Sequence, residues 1–579
     1  MNPKKLFSPK EIEARIAEDQ LIVLHEGYIL KLDQWIDEHP GGRLAILHMV
    51  GRDATDEINV YHSVRALQMM KKYRIGRIEE PWTNLEPPIR SHSYRMNMTS
   101  EKRVVASADS NTSRWGFDIS SLGLWKPELY TSAHSKADLT YEAAATSNES
   151  LAPSGECGRR ISSMRSLDTH KQPNSKIPNA SSGRRNSRVS YVTALEHKEI
   201  GEGLLDYPSL DVATQQFIMQ EYRNLHKEIK NKGLYQCCYN EYAKELLRYS
   251  LLFCTFLYLL SAGWYLTSAI VLGMFWQQIM FTAHDAGHRG ITGNFIIDTL
   301  IGAFIADFCC GLSIGWWKSS HNIHHLVTNM PEHDPDIQNI PLFSTSPTFM
   351  KSIFSSFYNF VFVWDGVAHF LVPYQKYTYY PIMAVARFNL YVLSWMHLMS
   401  PRAAQLGSAW WTRPVEVVFM ICYWAIFGYI LVWRTLPNWP IRIAFVLISH
   451  MITMLLHVQI TLSHWGMPTS DLGPTESFPQ RQLRTTMDID CPAWLDFLHG
   501  GLQFQAVHHL FPRVPRHNLR HAQALVLKFC EKTGVRYQRH GFVKGNQVVL
   551  GRLGEVAKML ETLGQCQLHM AETGKSGLL

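Results

Sequence analysis

The stretch 249–283 contains 35 consecutive residues without a single Asp, Glu, Lys or Arg. As one straight helix, at about 1.5 Å per residue, it would be roughly 50 Å long, whereas the hydrocarbon core of a bilayer is about 30 Å thick. The sequence "SAGW" at 261–264 interrupts the stretch near its middle. We therefore expect two membrane-spanning helices joined at this break.

A second apolar pair occupies 417–433 and 443–466, separated by the proline-containing turn "RTLPNWPIR". Between the two pairs, 294–312 carries two aspartates and 352–373 is aromatic but interrupted, so we expect both to be interfacial or re-entrant. The charged start of the chain lacks the apolar core of a signal peptide and should stay in the cytosol. Four spans then return the C-terminus to the cytosol, although the two arginines of the turn would face the lumen, against the usual bias.

The chain divides into three parts by composition. Residues 1–80 alternate strand-like and helix-like patterns, which predict a small α+β domain. Residues 81–200 are rich in Ser, Asn, Arg and Pro, and such a composition buries too little apolar surface to offset chain entropy, so it predicts a disordered linker. Residues 201–579 hold the apolar helices and predict an all-α integral membrane domain. The net charge of +7 is dispersed and indicates no nucleic-acid partner, and the ten cysteines include no C-x-x-C pair that would favour a zinc ribbon.

Three histidine motifs, "HDAGH", "HNIHH" and "QAVHH", lie just outside the predicted spans. Residues three and four apart project from the same helix face, so each motif offers convergent ligands to a metal. In the four-span topology all three lie on the cytosolic side, a condition that coincidental histidines would not have to meet. For the shortest motif, two ordinary surface histidines are the alternative. The candidate ligands are His284, His288, His321, His324, His325, Gln505, His508 and His509.

The number and type of these ligands favour iron. The imidazoles exceed what one tetrahedral zinc needs, and imidazole-rich sites with open positions suit iron that handles oxygen. Two irons would need further ligands, and His464, at the cytosolic end of the fourth span, is expected to be one. His450 and His457 share its helix face but lie deeper, where we expect core hydrogen bonding, with a role at the metal left open for His457. His333 and His517 are interpreted as structural residues.

The N-terminal part points to a different metal group. "DEHPGG" places His39 before a Pro-Gly-Gly turn, and His62 follows in "NVYHS". Two histidines on separate helices can hold one haem from both faces, and such a haem carries electrons because it has no open position for oxygen. Asp53, Asp56 and Glu57 place acid nearby, as a docking rim for a basic electron donor.

These motifs carry a resemblance to known families. Residues 1–80 resemble cytochrome b5 through "WIDEHPGG" and "YHS", and residues 245–535 resemble the membrane fatty-acyl desaturase superfamily through the three histidine motifs. The b5 fusion and the glutamine-led third motif are typical of front-end desaturases, and "WWKSSHNIHHLVTNMPEHDPDIQ" is similar to fungal delta-8 sphingolipid desaturases. The resemblance implies that His39 and His62 are the axial ligands of haem b. It also implies that Gln505 stands where other desaturases have a histidine.

The resemblance implies an oxidoreductase with two non-haem irons that uses O2 and two electrons to remove two hydrogens from a lipid chain. No G-x-G-x-x-G follows a strand, so NADH is expected to be oxidised by a separate NADH–cytochrome b5 reductase. The implied product is a delta-8 double bond in the long-chain base of ceramide, formed at the endoplasmic reticulum membrane with both metal groups facing the cytosol. Three alternatives stay open: a desaturase of acyl-CoA or phospholipid, a membrane lipid hydroxylase, and a membrane-tethered b5 electron carrier without enzymatic activity.

Overall fold

The computed structural model describes residues 5–90, 180–404 and 407–573. The strands are β1 (Leu6–Phe7), β2 (Ile22–His25), β3 (Tyr28–Lys31), β4 (Arg74–Ile78), β5 (Ile353–Ser355), β6 (Phe360–Phe362), β7 (Asp488–Asp490) and β8 (Arg539–Gly541). The first ten α-helices are α1 (Pro9–Ala17), α2 (Arg43–Leu47), α3 (Thr55–Tyr61), α4 (Val64–Met70), α5 (Ala180–Asp206), α6 (Val212–Asn231), α7 (Tyr239–Ser261), α8 (Tyr265–Gly287), α9 (Phe295–Ala303) and α10 (Ile314–Leu326). The others are α11 (Gly366–Leu371), α12 (Gln375–Met399), α13 (Thr412–Tyr423), α14 (Trp439–Ile452), α15 (Met454–Leu462), α16 (Phe478–Arg484), α17 (Asp496–His499), α18 (Gln505–Leu510), α19 (Leu519–Thr533) and α20 (Phe542–Thr573).

The N-terminal domain (residues 5–90) has the predicted α+β fold. Its sheet has the order β1-β4-β3-β2, with β1 parallel to β4 and the other pairs antiparallel. Glu26 and Gly27 form the β2–β3 turn with φ of 52° and 72°, the positive values that a tight hairpin requires. Ser8 and Glu11 form a capping box that starts α1. The helices α2, α3 and α4 lie between β3 and β4 in the chain; of the predicted haem histidines, His39 lies in the turn before α2 and His62 at the C-terminal end of α3.

The predicted linker (81–200) is too long, because at each end it includes residues that belong to a folded domain. At the first end, the Trp82 indole N–H donates to the carbonyl oxygen of Gly51 at 2.9 Å, so residues 81–90 belong to the N-terminal domain. At the other end, α5 starts at Ala180, and Val192 within it is fully buried in a core of the helical domain (residues 180–404 and 407–573). A few apolar anchors therefore hold segments whose average composition is polar. The rest of the predicted linker, 91–179, lies outside the described residues.

Four helical segments of the described chain are long and apolar enough to cross a membrane: Tyr265–Gly287, Gly366–Met399, Thr412–Thr435 and Trp439–Leu462. Three of them coincide with predicted spans. The first predicted span instead lies in α7, whose N-terminal half carries four charged residues, and α7 is not among these four segments.

The segment Gly366–Met399 was not predicted to span the membrane, because Lys376, Pro381 and Arg387 interrupt its apolar run. In the structure Arg387 is buried, and its guanidinium donates to the carbonyl oxygen of Cys310 at 2.7 Å and to the Tyr391 hydroxyl at 2.9 Å. A polar group paired in this way can be kept inside an apolar helix bundle.

The helix break predicted at 261–264 is present. α7 ends at Ser261 and α8 begins at Tyr265, with Gly263 at φ 80°, a left-handed conformation that glycine adopts without strain. Further along, Phe295–Cys309 and Ile314–Leu326 are bent by 116° at their junction, which is consistent with the re-entrant segment expected at 294–312. In the segment 352–373, β5 and β6 form an antiparallel hairpin before α11 begins.

The bundle is tightly packed where α8 crosses α14. A Cβ atom at Gly273 of α8 would lie 2.5 Å from the carbonyl oxygen of Ser449 in α14, so only glycine allows this approach. α8 and α15 both end beside the histidine motifs, at Gly287 and Leu462.

The N-terminal domain docks on the helical domain near the histidine motifs. Val60 of α3 lies in one apolar core with residues of α6, α18 and α19. Asp56, expected to form a docking rim, accepts a hydrogen bond from Arg223 of α6 at 2.7 Å. The Arg513 guanidinium donates to the carbonyl oxygen of His62 at 2.9 Å. The predicted acidic rim therefore contacts a cation of the same chain.

Candidate metal centre

The first motif lies at the end of α8. His284 and His288 are separated by one helical turn, and the helix stops there because Arg289 adopts φ 59° and Gly290 follows. Their ring centroids lie 4.9 Å apart. The end of α8 thus presents both imidazoles to one point.

The second motif lies on α10, which Ser313 caps by accepting a hydrogen bond from the backbone N–H of Trp316 at 3.0 Å. His321 and His325 are one turn apart, with their Nε2 atoms at 3.0 Å. Two imidazole nitrogens at this separation either share a proton or face a common cation.

The third motif forms the short helix α18, which follows Gly500 and Gly501 at φ 60° and 87°. A Cβ atom at Gly500 would overlap the ring of Phe281 in α8, so the glycine pair lets α18 pack against the end of α8. The backbone N–H of Ala506 donates to buried Asp488 at 2.8 Å, which fixes the start of the helix.

The three motifs converge on two groups of imidazoles. In each group, the ligand-type atoms lie within 4.8 Å of one another. The first group is His284, His288, His321 and His508. The second group is His324, His464 and His509. His325 lies between them, with ring centroids 4.8 Å from His508 and 4.1 Å from His509.

The free nitrogens of both groups fit a bound cation. The Nε2 atoms of His284, His288, His508 and His509 are buried and have no hydrogen-bond partner among the described residues. Buried polar atoms are normally paired, so four such nitrogens in one place indicate an absent positive group. Burial, followed by the charges of neighbouring imidazoles, lowers the pKa of His508 and His509, which keeps them neutral and able to ligate.

Polar partners at the Nδ1 atoms orient two imidazole rings of the second group. The Nδ1 atom of His324 is 2.8 Å from the Asp334 carboxylate, and Nδ1 of His509 is 2.9 Å from the Gln482 side-chain oxygen. Metal-binding histidines commonly donate their other N–H to such a partner, which fixes the tautomer and leaves Nε2 free. The sequence interpretation missed Asp334 and Gln482, although "HDPD" beside the second motif was a signal for the former.

Gln505 lies one turn before His508 and His509 and is buried. Its side-chain oxygen has no hydrogen-bond partner among the described residues. A neutral amide oxygen can bind a metal directly or hold a water at the metal. Its position is therefore compatible with the predicted role.

The other histidines have different surroundings. His450 lies near Val446 and Tyr391, with nitrogen–oxygen distances of 2.7 and 3.1 Å, which agrees with core hydrogen bonding. His457 directs Nδ1 toward the carbonyl oxygen of Met383 at 3.1 Å. Neither residue belongs to the two groups.

His333 and His517 also lie apart from these groups. His333 is 2.9 Å from the Ser356 hydroxyl, and His517 is 3.0 Å from the Glu245 carboxylate.

A buried ion cluster joins the first and third motifs. The Arg516 guanidinium, which follows α18 in the chain, donates to the Asp285 carboxylate at 2.6 Å and to the carbonyl oxygen of Phe281 at 2.7 Å. It also pairs with Glu245 of α7. Since Asp285 is adjacent to His284, Arg516 holds the end of α8 at a fixed place beside α18.

The N-terminal domain holds its own histidine pair, His39 and His62, with ring centroids 6.1 Å apart. A metal bonded to two imidazoles at about 2.1 Å separates the ring centres by about 6 Å. Nδ1 of His39 is 3.0 Å from the carbonyl oxygen of Gly42, and Nδ1 of His62 is 3.0 Å from that of Ile58, so both Nε2 atoms are free for a metal. A Cβ atom at Gly41 would lie 2.7 Å from Cε1 of His39, which explains the glycine in the turn. The residues present fit a haem with two axial histidines.

Both domains of the chain are similar to known proteins. Residues 8–79 match the cytochrome b5-like heme/steroid binding domain family, and residues 262–541 match the fatty acid desaturase family. A delta 8-(E)-sphingolipid desaturase of Emericella nidulans is 44% identical over 98% of this chain and 97% of its own length. Proteins of the same name from Kluyveromyces lactis and Candida albicans are 45% and 40% identical, over 98% and 99% of this chain and 95% and 98% of their own lengths.

The chain belongs to the cytochrome b5-fused membrane desaturases.

It is accordingly an oxidoreductase of lipid metabolism with a haem-binding N-terminal domain and a multi-pass membrane domain that acts on a lipid. In this desaturase the histidine groups lie at the polar end of the apolar helices, beside the docked N-terminal domain.

Proposed function

We propose that the protein is an O2-dependent di-iron desaturase that introduces an E double bond at carbon 8 of the long-chain base of a ceramide. The single observation that carries the iron assignment is the pair of adjoining imidazole groups with buried, unpaired nitrogens. The substrate assignment rests on the full-length relatives that carry this name. The reaction converts –CH2–CH2– with O2, two electrons and two protons into –CH=CH– and two waters.

The proposed ligands divide between two metal positions. His284, His288, His321, His325 and His508 would hold one iron, because each ring lies near at least two others of this set.

The second iron would be held by His324, His464 and His509, with Gln505 supplying an amide oxygen directly or through water. When bound, the iron pair would supply the oxygen activation and hydrogen abstraction that no acid–base side chain performs on an unactivated C–H bond. The chain orients the rings of His324 and His509 through Asp334 and Gln482.

Electrons would enter through haem b held by His39 and His62. Since no dinucleotide-binding motif is present in the sequence, a separate NADH–cytochrome b5 reductase would reduce the haem. The docked N-terminal domain lies on the same side of the bundle as the imidazole groups, so both face one compartment. We place that side in the cytosol and the protein in the endoplasmic reticulum membrane.

The test is expression in a host whose sphingoid bases are saturated at carbon 8, followed by mass spectrometry of long-chain bases and fatty acids. A mass loss of two hydrogens in the bases, with the double bond mapped to carbon 8, is expected. His508→Ala should abolish it, whereas His521→Ala, at an exposed histidine of α19, should not. Unsaturation confined to fatty acyl chains would contradict the sphingolipid assignment, and a hydroxylated product would contradict desaturation.

A further inference from the structure

Three cations of the helical domain lie opposite the haem-binding histidines. The Arg513 guanidinium donates to the carbonyl oxygen of His62 at 2.9 Å. Arg289 lies over the ring of Phe295, and Phe295 lines one cavity with Gly41 and Gly42, in the turn that follows His39. Lys318 faces the turn that follows His39, across a cavity of about 420 Å³.

Two of these cations lie over the same aromatic ring. The Arg289 guanidinium lies 4.9 Å, and the Lys318 ammonium 5.7 Å, from the ring centroid of Phe295. A cation over an aromatic face is held in place without being neutralised. Arg289 and Lys318 therefore point into the same region with their charges intact.

No acid neutralises these charges in the described part of the chain. None of the three cations has a carboxylate oxygen of a described residue within 4.0 Å. Nε of Arg513 is buried without a hydrogen-bond partner among the described residues.

Asp298 and Glu416, the carboxylates whose charges act on these cations, accept their hydrogen bonds from other groups. Asp298 accepts hydrogen bonds from the hydroxyl of Thr292 at 2.7 Å and the backbone N–H of Gly293 at 3.0 Å. Glu416 accepts from the Ser313 hydroxyl at 2.6 Å and the backbone N–H of Gly315 at 3.0 Å. Desolvated cations without a partner are costly, so the region lacks an anion.

We infer that Arg289, Lys318 and Arg513 form a binding site for the two propionate carboxylates of the haem held by His39 and His62. The haem would then be a shared ligand, its metal bound by the N-terminal domain and its carboxylates by the helical domain. Arginine suits this role because its planar donors match a carboxylate in two-point geometry. The inference rests on the proposed haem of the N-terminal domain but not on the iron pair or on the lipid substrate.

The site also sets where the haem edge lies. Arg289 directly follows His288, a member of the first imidazole group. A propionate bound to Arg289 would hold the haem edge beside the end of α8, which carries His284 and His288 of that group. In the docked state, the cations would thus hold the electron donor beside its acceptor.

The test measures haem release from the purified full-length protein to excess apomyoglobin, followed by the visible spectrum. The variant Arg289→Gln/Arg513→Gln removes two charge-assisted contacts to the propionates, so release should be at least about tenfold faster. Arg289→Lys, which keeps the charge, should stay within about threefold of the wild type. Arg65→Gln is the matched control, because Arg65 is an exposed arginine of α4 close to His62 in sequence.

A second arm uses protein reconstituted with the dimethyl ester of haem, whose propionates carry no charge. The double variant and the wild type should release the ester at equal rates. The inference is overturned if the variant releases ordinary haem no faster than the wild type, as it would if an anionic lipid filled the site. It is also overturned if the variant accelerates release of the ester equally. Neither measurement needs the non-haem irons, oxygen or lipid substrate, so their failure and a failure of the desaturation assay are distinguishable.

Discussion

The phenolic hydroxyl of Tyr61 donates a hydrogen bond to the backbone carbonyl of His325 at 3.3 Å. The two ring centroids lie 6.1 Å apart. Tyr61 directly precedes His62, the proposed haem ligand of the N-terminal domain, and His325 lies between the two imidazole groups of the helical domain. One side chain therefore connects the proposed electron donor to the proposed acceptor.

Replacing Tyr61 should slow electron transfer without altering the haem. Loss of a buried aromatic residue from an interface costs about 2 kcal/mol, so Tyr61→Ala should slow the oxidation of reduced haem by O2 and substrate more than tenfold. Tyr61→Phe keeps the ring contact and should slow it by less than about threefold. Stopped-flow spectroscopy measures the rate, and an unchanged midpoint potential is the control. Equal rates in all three proteins would refute the role of this contact.

His464 is expected to hold the second iron. It is the only residue of the group His324, His464 and His509 outside the three histidine motifs. His464→Ala should reduce bound non-haem iron from two atoms per chain toward one, measured as total iron minus haem iron in the purified protein. His450→Gln, which retains donor and acceptor atoms near Val446 and Tyr391, should keep both.

Replacement of Gln505 by histidine should preserve iron binding better than replacement by alanine. Its buried amide oxygen lacks a partner in the described chain, so Gln505→Ala removes a ligand and leaves a cavity beside the second group. We expect Gln505→Ala to lose iron and Gln505→His to retain it, in the same metal analysis. Full iron occupancy in the alanine variant would exclude Gln505 from the metal environment.

The buried ion cluster around Arg516 should contribute more to the free energy of unfolding than a partly exposed ion pair does. Arg516→Met removes the buried guanidinium shared by the carboxylates of Asp285 and Glu245, and breaking a buried ion pair in this way costs about 3–5 kcal/mol. Arg520→Met is the matched control, because the Arg520–Asp496 pair is about one-third exposed on each side and should cost less than about 1 kcal/mol. Thermal unfolding in detergent compares the two. Similar losses in both variants would contradict the importance of the buried cluster.

Glu57 gives the N-terminal domain a pH-dependent stability. Burial raises the pKa of Glu57 to about 7, above its ordinary value of 4.5. A raised carboxyl pKa means that the folded state favours the protonated form, so this contribution to stability is present below pH 4.5 and is lost as the pH rises through 7. Glu57→Gln should therefore raise the unfolding temperature relative to the wild type at pH 8 and not at pH 4.5. The opposite order would show that the carboxylate is stabilised by its neighbours.

Local patterns in the sequence predict much of the site. The i, i+3 and i+4 spacings placed the ligands of each motif on one helix face, and the structure brings all three faces together. The spacing of "TLSHWG" from the fourth span likewise indicated His464. These features depend on helix periodicity and on the length of an apolar run, which a single sequence carries.

Features that depend on distant partners were missed. Arg387 breaks the apolar run of α12, and only its contacts with Cys310 and Tyr391 show how it is kept inside the bundle. Likewise, the pairing of Asp56 with Arg223 joins residues that are 167 positions apart. Contacts between residues so far apart produce no periodic sequence pattern from which they could be predicted.

The docked arrangement has a consequence for the timing of catalysis. The carbonyl of His62 and the hydroxyl of Tyr61 are both bonded to the helical domain, so the face that delivers electrons is covered while it delivers them. On the proposed electron route, a separate reductase would reach this face only while the N-terminal domain is undocked. Because the proposed haem carries one electron and each double bond requires two, the domain would undock and dock again twice for every product molecule. The rate of this exchange would then set an upper limit on turnover.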